Sequence, residues 1–314
     1  MARKLATVFG GSGFIGRYVV QRLAKRGWMV RAAVRRPDEA LFLKPLGDVG
    51  QITPIAANLR HQGSVEAAVA GADAVVNLVG LLYQGGPQRF DAVHVEGAGR
   101  AAAAARKAGA AQFVQVSAIG ADPASPAAYA RTKAAGEAAV KSAFPQATVL
   151  RPSIVFGPED QFFNRFARMA RLTPVLPLIG GGHTRFQPVY VGDVADAVAA
   201  AVERQDAAGK TYELGGPEIR TFRELMVLML QEIERRRLLV PIPFAIASLQ
   251  GALLQLLPMP PLTLDQVRLL KRDNVVTAGM PGLKELGVGA TALELILPTY
   301  LARYRPGGRH MRLA

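Results

Sequence analysis

The segment Gly10-Gly11-Ser12-Gly13-Phe14-Ile15-Gly16 follows directly on the apolar run Leu5-Ala6-Thr7-Val8-Phe9, and this order constrains the fold more than any other feature of the chain. It reads as a buried strand, a tight turn and a helix start. In such a turn the first glycine supplies the backbone angles, the middle one lets main chain approach a pyrophosphate, and the last lets the helix pack on the strand. Gly10, Gly13 and Gly16 take those places, with Ser12, Phe14 and Ile15 lining the same turn, so that freed N–H groups face an anion. A second strand signal, Met29 to Val34, ends at Arg35-Arg36. An NAD site wants a carboxylate there for the ribose 2′-OH, whereas a cationic pair suits the 2′-phosphate of NADP. The expected cofactor is therefore NADP(H), read as NADPH. The other reading of Arg35 and Arg36 is a solvated strand end in a basic protein.

Further strand signals at Gln51 to Ile55, Ala74 to Val79, Gln112 to Ser117 and Thr148 to Leu150 alternate with alanine-rich helical stretches, such as Ala101 to Ala105. This rhythm predicts an α/β fold with a Rossmann-type doubly wound parallel sheet. After Arg151 proline and glycine become frequent, helical patterns run from Phe222 to Arg237 and from Leu264 to Lys271, and strand signals shrink to pieces such as Tyr212 to Leu214. The expected division is an NADP(H)-binding domain over 1–155 and a smaller C-terminal α/β lobe over 156–314. That lobe faces a partner or substrate, and some of its elements pack back on the main sheet. With 314 residues, 50% of them hydrophobic, the chain is long enough to bury a full core.

No cysteine is present, which excludes disulfides, thiolate nucleophiles and cysteine metal sites, and no metal centre is expected. The glycine-rich turn at residue 10 is read as leaving no room for a signal or transit segment ahead of the fold. A net charge of +14 invites a nucleic-acid reading. Yet the basic residues are scattered, concentrated only at Arg235-Arg236-Arg237 and at Arg303, Arg305, Arg309 and Arg312, with no aromatic residues interleaved for stacking. No nucleic-acid partner is expected. An acidic protein or an anionic lipid surface fits better, and a solvated basic face is the alternative for the triple arginine.

Ser117 ends a strand, and Tyr129-Ala130-Arg131-Thr132-Lys133 supplies Y-x-x-x-K on the next helix, which puts both side chains on one face. With the glycine turn, this set resembles the short-chain dehydrogenase/reductase superfamily. The resemblance implies that Lys133 bonds the nicotinamide ribose and lowers the phenol's pKa, that Tyr129 trades a proton with a substrate oxygen, and that Ser117 orients that oxygen. Leu78-Val79-Gly80, Asn58-Leu59 and Pro152-Ser153-Ile154 complete the cofactor-lining set. Two departures stand out. Where the superfamily expects asparagine in N-V-x-G this chain has His94-Val95-Glu96-Gly97, read as a satisfied helix histidine, and the adenine-facing acidic segment reads Ala57-Asn58-Leu59.

The run Phe156-Gly157-Pro158-Glu159-Asp160-Gln161-Phe162-Phe163-Asn164-Arg165-Phe166 is far more specific, as are Pro261 to Val267 and Lys271-Arg272-Asp273-Asn274-Val275-Val276. With these segments the chain resembles the NAD(P)H-binding accessory subunits of respiratory complex I, NADH:ubiquinone oxidoreductase, which are atypical extended short-chain dehydrogenases/reductases. The resemblance implies an accessory subunit that keeps NADPH as a structural cofactor without turnover and contacts other complex I subunits. It also implies a peripheral place on the cytoplasmic face of a bacterial inner membrane, or the matrix side in a mitochondrial relative. The alternative is an NADPH-dependent short-chain reductase or epimerase acting on a small carbonyl compound through Tyr129, Lys133 and Ser117.

Phe156, Phe162, Phe163 and Phe166 are spaced to bury in the second lobe, with Asp160 or Asn164 as helix caps. Leu238 to Leu264 holds no charged residue and five prolines. Its helical core, Phe244 to Leu257, would span roughly 21 Å, short of the ~30 Å hydrocarbon thickness. It is read as lying on a membrane surface, docking on another subunit, or completing its own core.

Overall fold

A computed structural model describes residues 4–257 and 260–308. The chain begins with β1 (Leu5–Phe9), α1 (Phe14–Lys25), β2 (Met29–Val34), β3 (Ile52–Ala56), α2 (Gln62–Val69), β4 (Ala74–Asn77), α3 (Ala98–Lys107), β5 (Gln112–Val116), α4 (Ala128–Ala143) and β6 (Thr148–Pro152). It continues through β7 (Val155–Phe156), α5 (Phe163–Leu172), β8 (Val175–Ile179), β9 (Arg185–Phe186), β10 (Val189–Tyr190), α6 (Val191–Glu203) and β11 (Thr211–Leu214). It ends with β12 (Arg220–Thr221), α7 (Phe222–Glu232), β13 (Leu238–Ile242), α8 (Phe244–Leu254), α9 (Leu264–Leu269) and α10 (Leu293–Leu301). Two compact units result: Met1–Pro152 with Gly192–Leu214 and Gly279–Gly289, and Ser153–Val191 with Gly215–Ala278 and Ala290–Ala314.

The first unit is built on a seven-stranded sheet of order β11-β6-β5-β4-β1-β2-β3, parallel at every pairing. Phe9, Ala33, Val75 and Phe113 pack with Val65, Ala68, Ala101, Ala105 and Val140 of α2, α3 and α4. The alternate positions Val8, Ala32, Val76 and Val114 are buried as well, and Gly11 brings Ala32 and Val20 of α1 together on that opposite face. Burial on both faces is why these strands read as continuous apolar runs. Small residues set the helix spacing: a Cβ on Gly99 would stand 3.3 Å from that of Ala139. The strand order reverses between β4 and β1, where ligands bind in such sheets.

The sixth strand runs past Leu150 to Pro152, and its neighbour is β11, with Glu213 opposite Arg151. Arg151 grips the buried Glu137 through Nε and Nη2 at 2.9 and 2.6 Å, and its Nη1 lies 3.6 Å from Glu213. Pro152 is tolerated because it is the last residue of its strand.

In the second unit Phe156 and Phe163 are fully buried with Phe222, Met226, Leu297 and Tyr300, while Phe162 and Phe166 lie partly exposed against the same core. The N-cap position of α5 is Phe162, whose side chain makes no cap bond. Asp160, two residues earlier, serves the helix start instead: its carboxylate accepts the N–H groups of Asn164 at 3.0 Å and Gly157 at 3.2 Å, and the hydroxyl of Tyr300. Asn164 in turn accepts from Tyr304 and Arg303 and donates to the carbonyls of Pro158 and Asp160. The specific run at 156–166 is thus a buried polar lock onto α10. Capping boxes start α7 at Thr221 and Glu224 and α9 at Thr263 and Gln266. The seventh helix stops at Glu232, well before the expected Arg237, because Glu234 turns left-handed at φ 52° and the Arg235 N–H bonds back to the Leu230 carbonyl. Arg309 and Arg312 lie outside the described residues.

The eighth helix covers Phe244–Leu254, about 16 Å, with only Ala247 and Gly251 buried. Ile246, Leu249 and Leu253 point to solvent, as do Leu256 and Leu257 beyond it. Among the described residues no helix is long and apolar enough to cross a membrane, and no group of three or more metal-binding side chains occurs.

Removing the Asp160 carboxylate leaves two N–H groups and a phenol unsatisfied in a buried site. Asp160→Ala is expected to lower stability by about 2–4 kcal/mol, read as a shift in the urea midpoint; a change under about 0.5 kcal/mol would be a surface-type effect and contradict the lock.

Candidate dinucleotide-binding site

Gly10 adopts φ +78°, and its N–H bonds the carbonyl of Ala33 at 3.0 Å, which ties the turn to β2. A Cβ on Gly16 would lie 2.1 Å from the Gly10 carbonyl oxygen, so only glycine lets α1 start there. A Cβ on Gly13 would meet only that same oxygen, at 3.1 Å, leaving the turn open outward. No side chain caps α1 and its first turn holds no acidic residue. Its first N–H groups are therefore left for an anion.

The ends of β2 and β3 are neighbours, since the Ala57 N–H bonds the Val34 carbonyl at 2.8 Å, which brings Arg35 and Asn58 to one rim. Arg36 pairs with Glu39 at 2.8 Å, whereas Arg35 is exposed and has no partner among the described residues. Asn58 Oδ1 accepts the Arg60 N–H at 3.1 Å, and Leu59 is buried beneath it.

The strand end Leu78-Val79 passes against Gly10, whose Cβ would touch Val79 at 3.3 Å, and Gly80 lies beside Lys133 Nζ. On the other side Tyr129 and Lys133 stand one turn apart on α4, with Nζ 5.8 Å from the centroid of the phenol ring. Ser117 follows β5 with a buried Oγ that has no hydrogen-bond partner among the described residues. A buried hydroxyl without a partner, an uncapped helix start and a glycine cradle together fit a bound dinucleotide. Of the remaining expected residues, Pro152 ends β6. Ser153 and Ile154 belong to the second unit, where Asn274 engages both: Oδ1 lies 2.7 Å from Ser153 Oγ and accepts the Ile154 N–H at 3.1 Å.

Residues 6–215 match the NAD dependent epimerase/dehydratase family. The chain is 39% identical to the NADH dehydrogenase (ubiquinone) 1 alpha subcomplex subunit 9 of Arabidopsis thaliana mitochondria, covering 97% of this chain and 79% of that one. It is 36% identical to the subunit of the same name from Mus musculus, covering 96% and 80%. The chain belongs to the subunit 9 family and to the NAD dependent epimerase/dehydratase family. The structure of an NADPH-dependent quinone oxidoreductase from Escherichia coli has the same fold, with a TM-score of 0.73 at 20% identity over 94% of this chain and 98% of that chain.

Protonation in this family member departs from the expected activation. Burial pushes the Tyr129 phenol up to about 12 and the Lys133 ammonium down to about 8, the latter opposed by Glu137. For the phenol, desolvation is the cause of the rise. Sequence reasoning gave no side-chain partner to Thr132 or Phe90, nor to the pair Asn77–Gln115, which bonds at 2.9 Å across the ends of β4 and β5. For Asn77 and Gln115 the signal was a polar residue inside an apolar strand run; Phe90 and Thr132 carried none.

His94 is 3% exposed, and burial, aided by the nearby Lys133, holds its pKa down to about 3. The unfolded chain protonates near 6.5, so the contribution of neutral His94 is complete above that pH and is lost as pH falls toward 3. At pH 4.5 the loss amounts to roughly 2–3 kcal/mol. Thermal unfolding between pH 7.5 and 4.5 should show this slope in the wild type and a shallower one in His94→Gln.

Proposed function

We propose that this protein is an accessory subunit of proton-pumping NADH:ubiquinone oxidoreductase that holds NADPH as a structural cofactor and does not turn it over. The observation that carries this reading is the extent of the likeness to the mitochondrial subunits, which runs through both units. The α1 turn would take the pyrophosphate, Arg35 the 2′-phosphate, Asn58 and Leu59 the adenine. Ser117, Tyr129 and Lys133 would hold the nicotinamide ribose. Bound NADPH carries a transferable hydride, but a phenol held near 12 suits a hydrogen-bond donor better than a proton acceptor at neutral pH.

Nucleotide bound to the folded chain alone stabilises it by about 2.7 kcal/mol at a hundredfold excess over Kd. The second unit supplies the docking face. Exposed Ile246, Leu249 and Leu253 lie on one stripe of α8, and Lys271 sits over Phe244 at its start. Desolvation, together with the nearby Arg237 and Arg171, holds the Arg235 pKa down. Apolar and cationic side chains side by side suit the surface of an anionic membrane, here the cytoplasmic face of a bacterial inner membrane.

Arg35→Asp is expected to weaken NADPH at least tenfold while leaving NADH nearly unchanged, measured by calorimetric titration; equal weakening of both would remove the 2′-phosphate assignment. Solubilised in mild detergent, the protein should travel on native gels with a large NADH-oxidising assembly, and Tyr129→Phe should leave NADH oxidation by that assembly intact. Recovery of the chain alone in the soluble fraction, oxidising NADPH with a small carbonyl compound and losing this in Tyr129→Phe, would favour the reductase reading.

A further inference from the structure

Residues 91–97 wind as one π-helical stretch ahead of α3, a form that often marks functional positions. It places His94 under the loop that follows β4. Nε2 accepts the Leu81 N–H at 2.9 Å, so the ring proton resides on Nδ1, which donates to Thr132 Oγ1 at 3.1 Å. Thr132 in turn donates to the Ala128 carbonyl at 2.9 Å. The ring is stacked on Phe90 with centroids 5.1 Å apart and meets Tyr129 edge-on at 5.6 Å. The fourth helix presses against it: a Cβ on Gly136 would stand 2.0 Å from the His94 carbonyl oxygen. One imidazole therefore ties two elements, the loop at 78–81 and the turn of α4 that carries Tyr129 and Lys133.

The tied loop is the one that flanks the nucleotide turn. A Cβ on Gly10 would lie 3.5 Å from the Val79 nitrogen, and one on Gly80 would lie 3.2 Å from Lys133 Nζ and 3.8 Å from His94 Nε2. Freed from the imidazole, the Leu81 N–H would need another acceptor, and the loop between Gly10 and Lys133 would lose its only side-chain anchor among the described residues at that end.

We propose that His94 is a positioning residue for the dinucleotide site, clamping the loop at 78–81 to α4 so that Gly10, Gly80 and Lys133 face one ligand. This rests on the dinucleotide reading above. The histidine replaces the asparagine expected in N-V-x-G and reaches both elements with one rigid ring. The acceptor toward Leu81, more than the donor toward Thr132, carries the effect on the ligand.

The test compares NADPH binding by the full chain with His94→Phe and His94→Gln. Phenylalanine keeps the stacking and removes the acceptor; glutamine keeps an acceptor at the place of Nε2. The expected result is a Kd raised about tenfold or more by phenylalanine, the size of one lost hydrogen bond, and within about threefold of wild type in glutamine. A Kd unchanged in both variants, or raised equally in both, would overturn the clamp. If wild type binds neither NADPH nor NADH, the dinucleotide reading itself falls and takes the clamp with it. Should the phenylalanine variant not fold, nitrogen NMR of the wild-type ring decides: protonation on Nδ1 supports the clamp, and protonation on Nε2 overturns it.

Discussion

The first unit depends on backbone meeting backbone where α1 leaves the turn. At Gly16 a side chain would need to share space with the Gly10 carbonyl oxygen, 2.1 Å away, so the helix starts close under the strand and its N-terminus opens at the end of β1. The same device recurs where α4 meets His94 at Gly136, and in the second unit where Gly216 meets the Pro188 carbonyl at 2.0 Å. Close-packed interiors leave no slack at such points. The positions of the loop after β4 and of Tyr129 and Lys133 follow from two of these contacts, and with them the form of the candidate site.

Buried polar groups are handled in two ways. Most are closed into networks: Arg151 between Glu137 and Glu213, Asp160 and Asn164 with Tyr300 and Tyr304, and Asn77 with Gln115. Such groups add specificity only when every member is satisfied. Two atoms at the ends of β5 differ: Gln112 Oε1 at its start and the buried Ser117 hydroxyl just past its end find no partner among the described residues. A group of this kind costs stability unless something binds it, and Ser117 is the one that lies beside the candidate site.

Much of the first unit was legible in the chain itself. Six strand signals correspond to β1 to β6 with ends shifted by no more than two residues, because doubly buried strands read as apolar runs bounded by turn residues. The helix Phe222 to Arg237 was overdrawn at its end, since a left-handed Glu234 carries no sequence signal of the kind glycine gives. Spacing places Tyr129 and Lys133 on one helix face but says nothing of the desolvation that raises the phenol and lowers the ammonium. His94 was read as a satisfied helix histidine, and it is satisfied; its two partners, Leu81 and Thr132, decide what that satisfaction holds in place.

By itself the sequence determined the nucleotide turn, the parallel sheet and the candidate rim at Arg35 and Asn58, because glycine placement and apolar periodicity act over neighbouring residues. Tertiary structure alone decided the contacts that join distant segments. Tyr300 reaches Asp160 across 140 positions and Asn274 reaches Ser153 across 121, so the specific runs at 156–166 and 271–276 are explained by partners that no local pattern names. Burial, which sets the protonation of Tyr129, Lys133 and His94, is likewise a property of the packed molecule, since desolvation depends on what surrounds a group in space rather than along the chain.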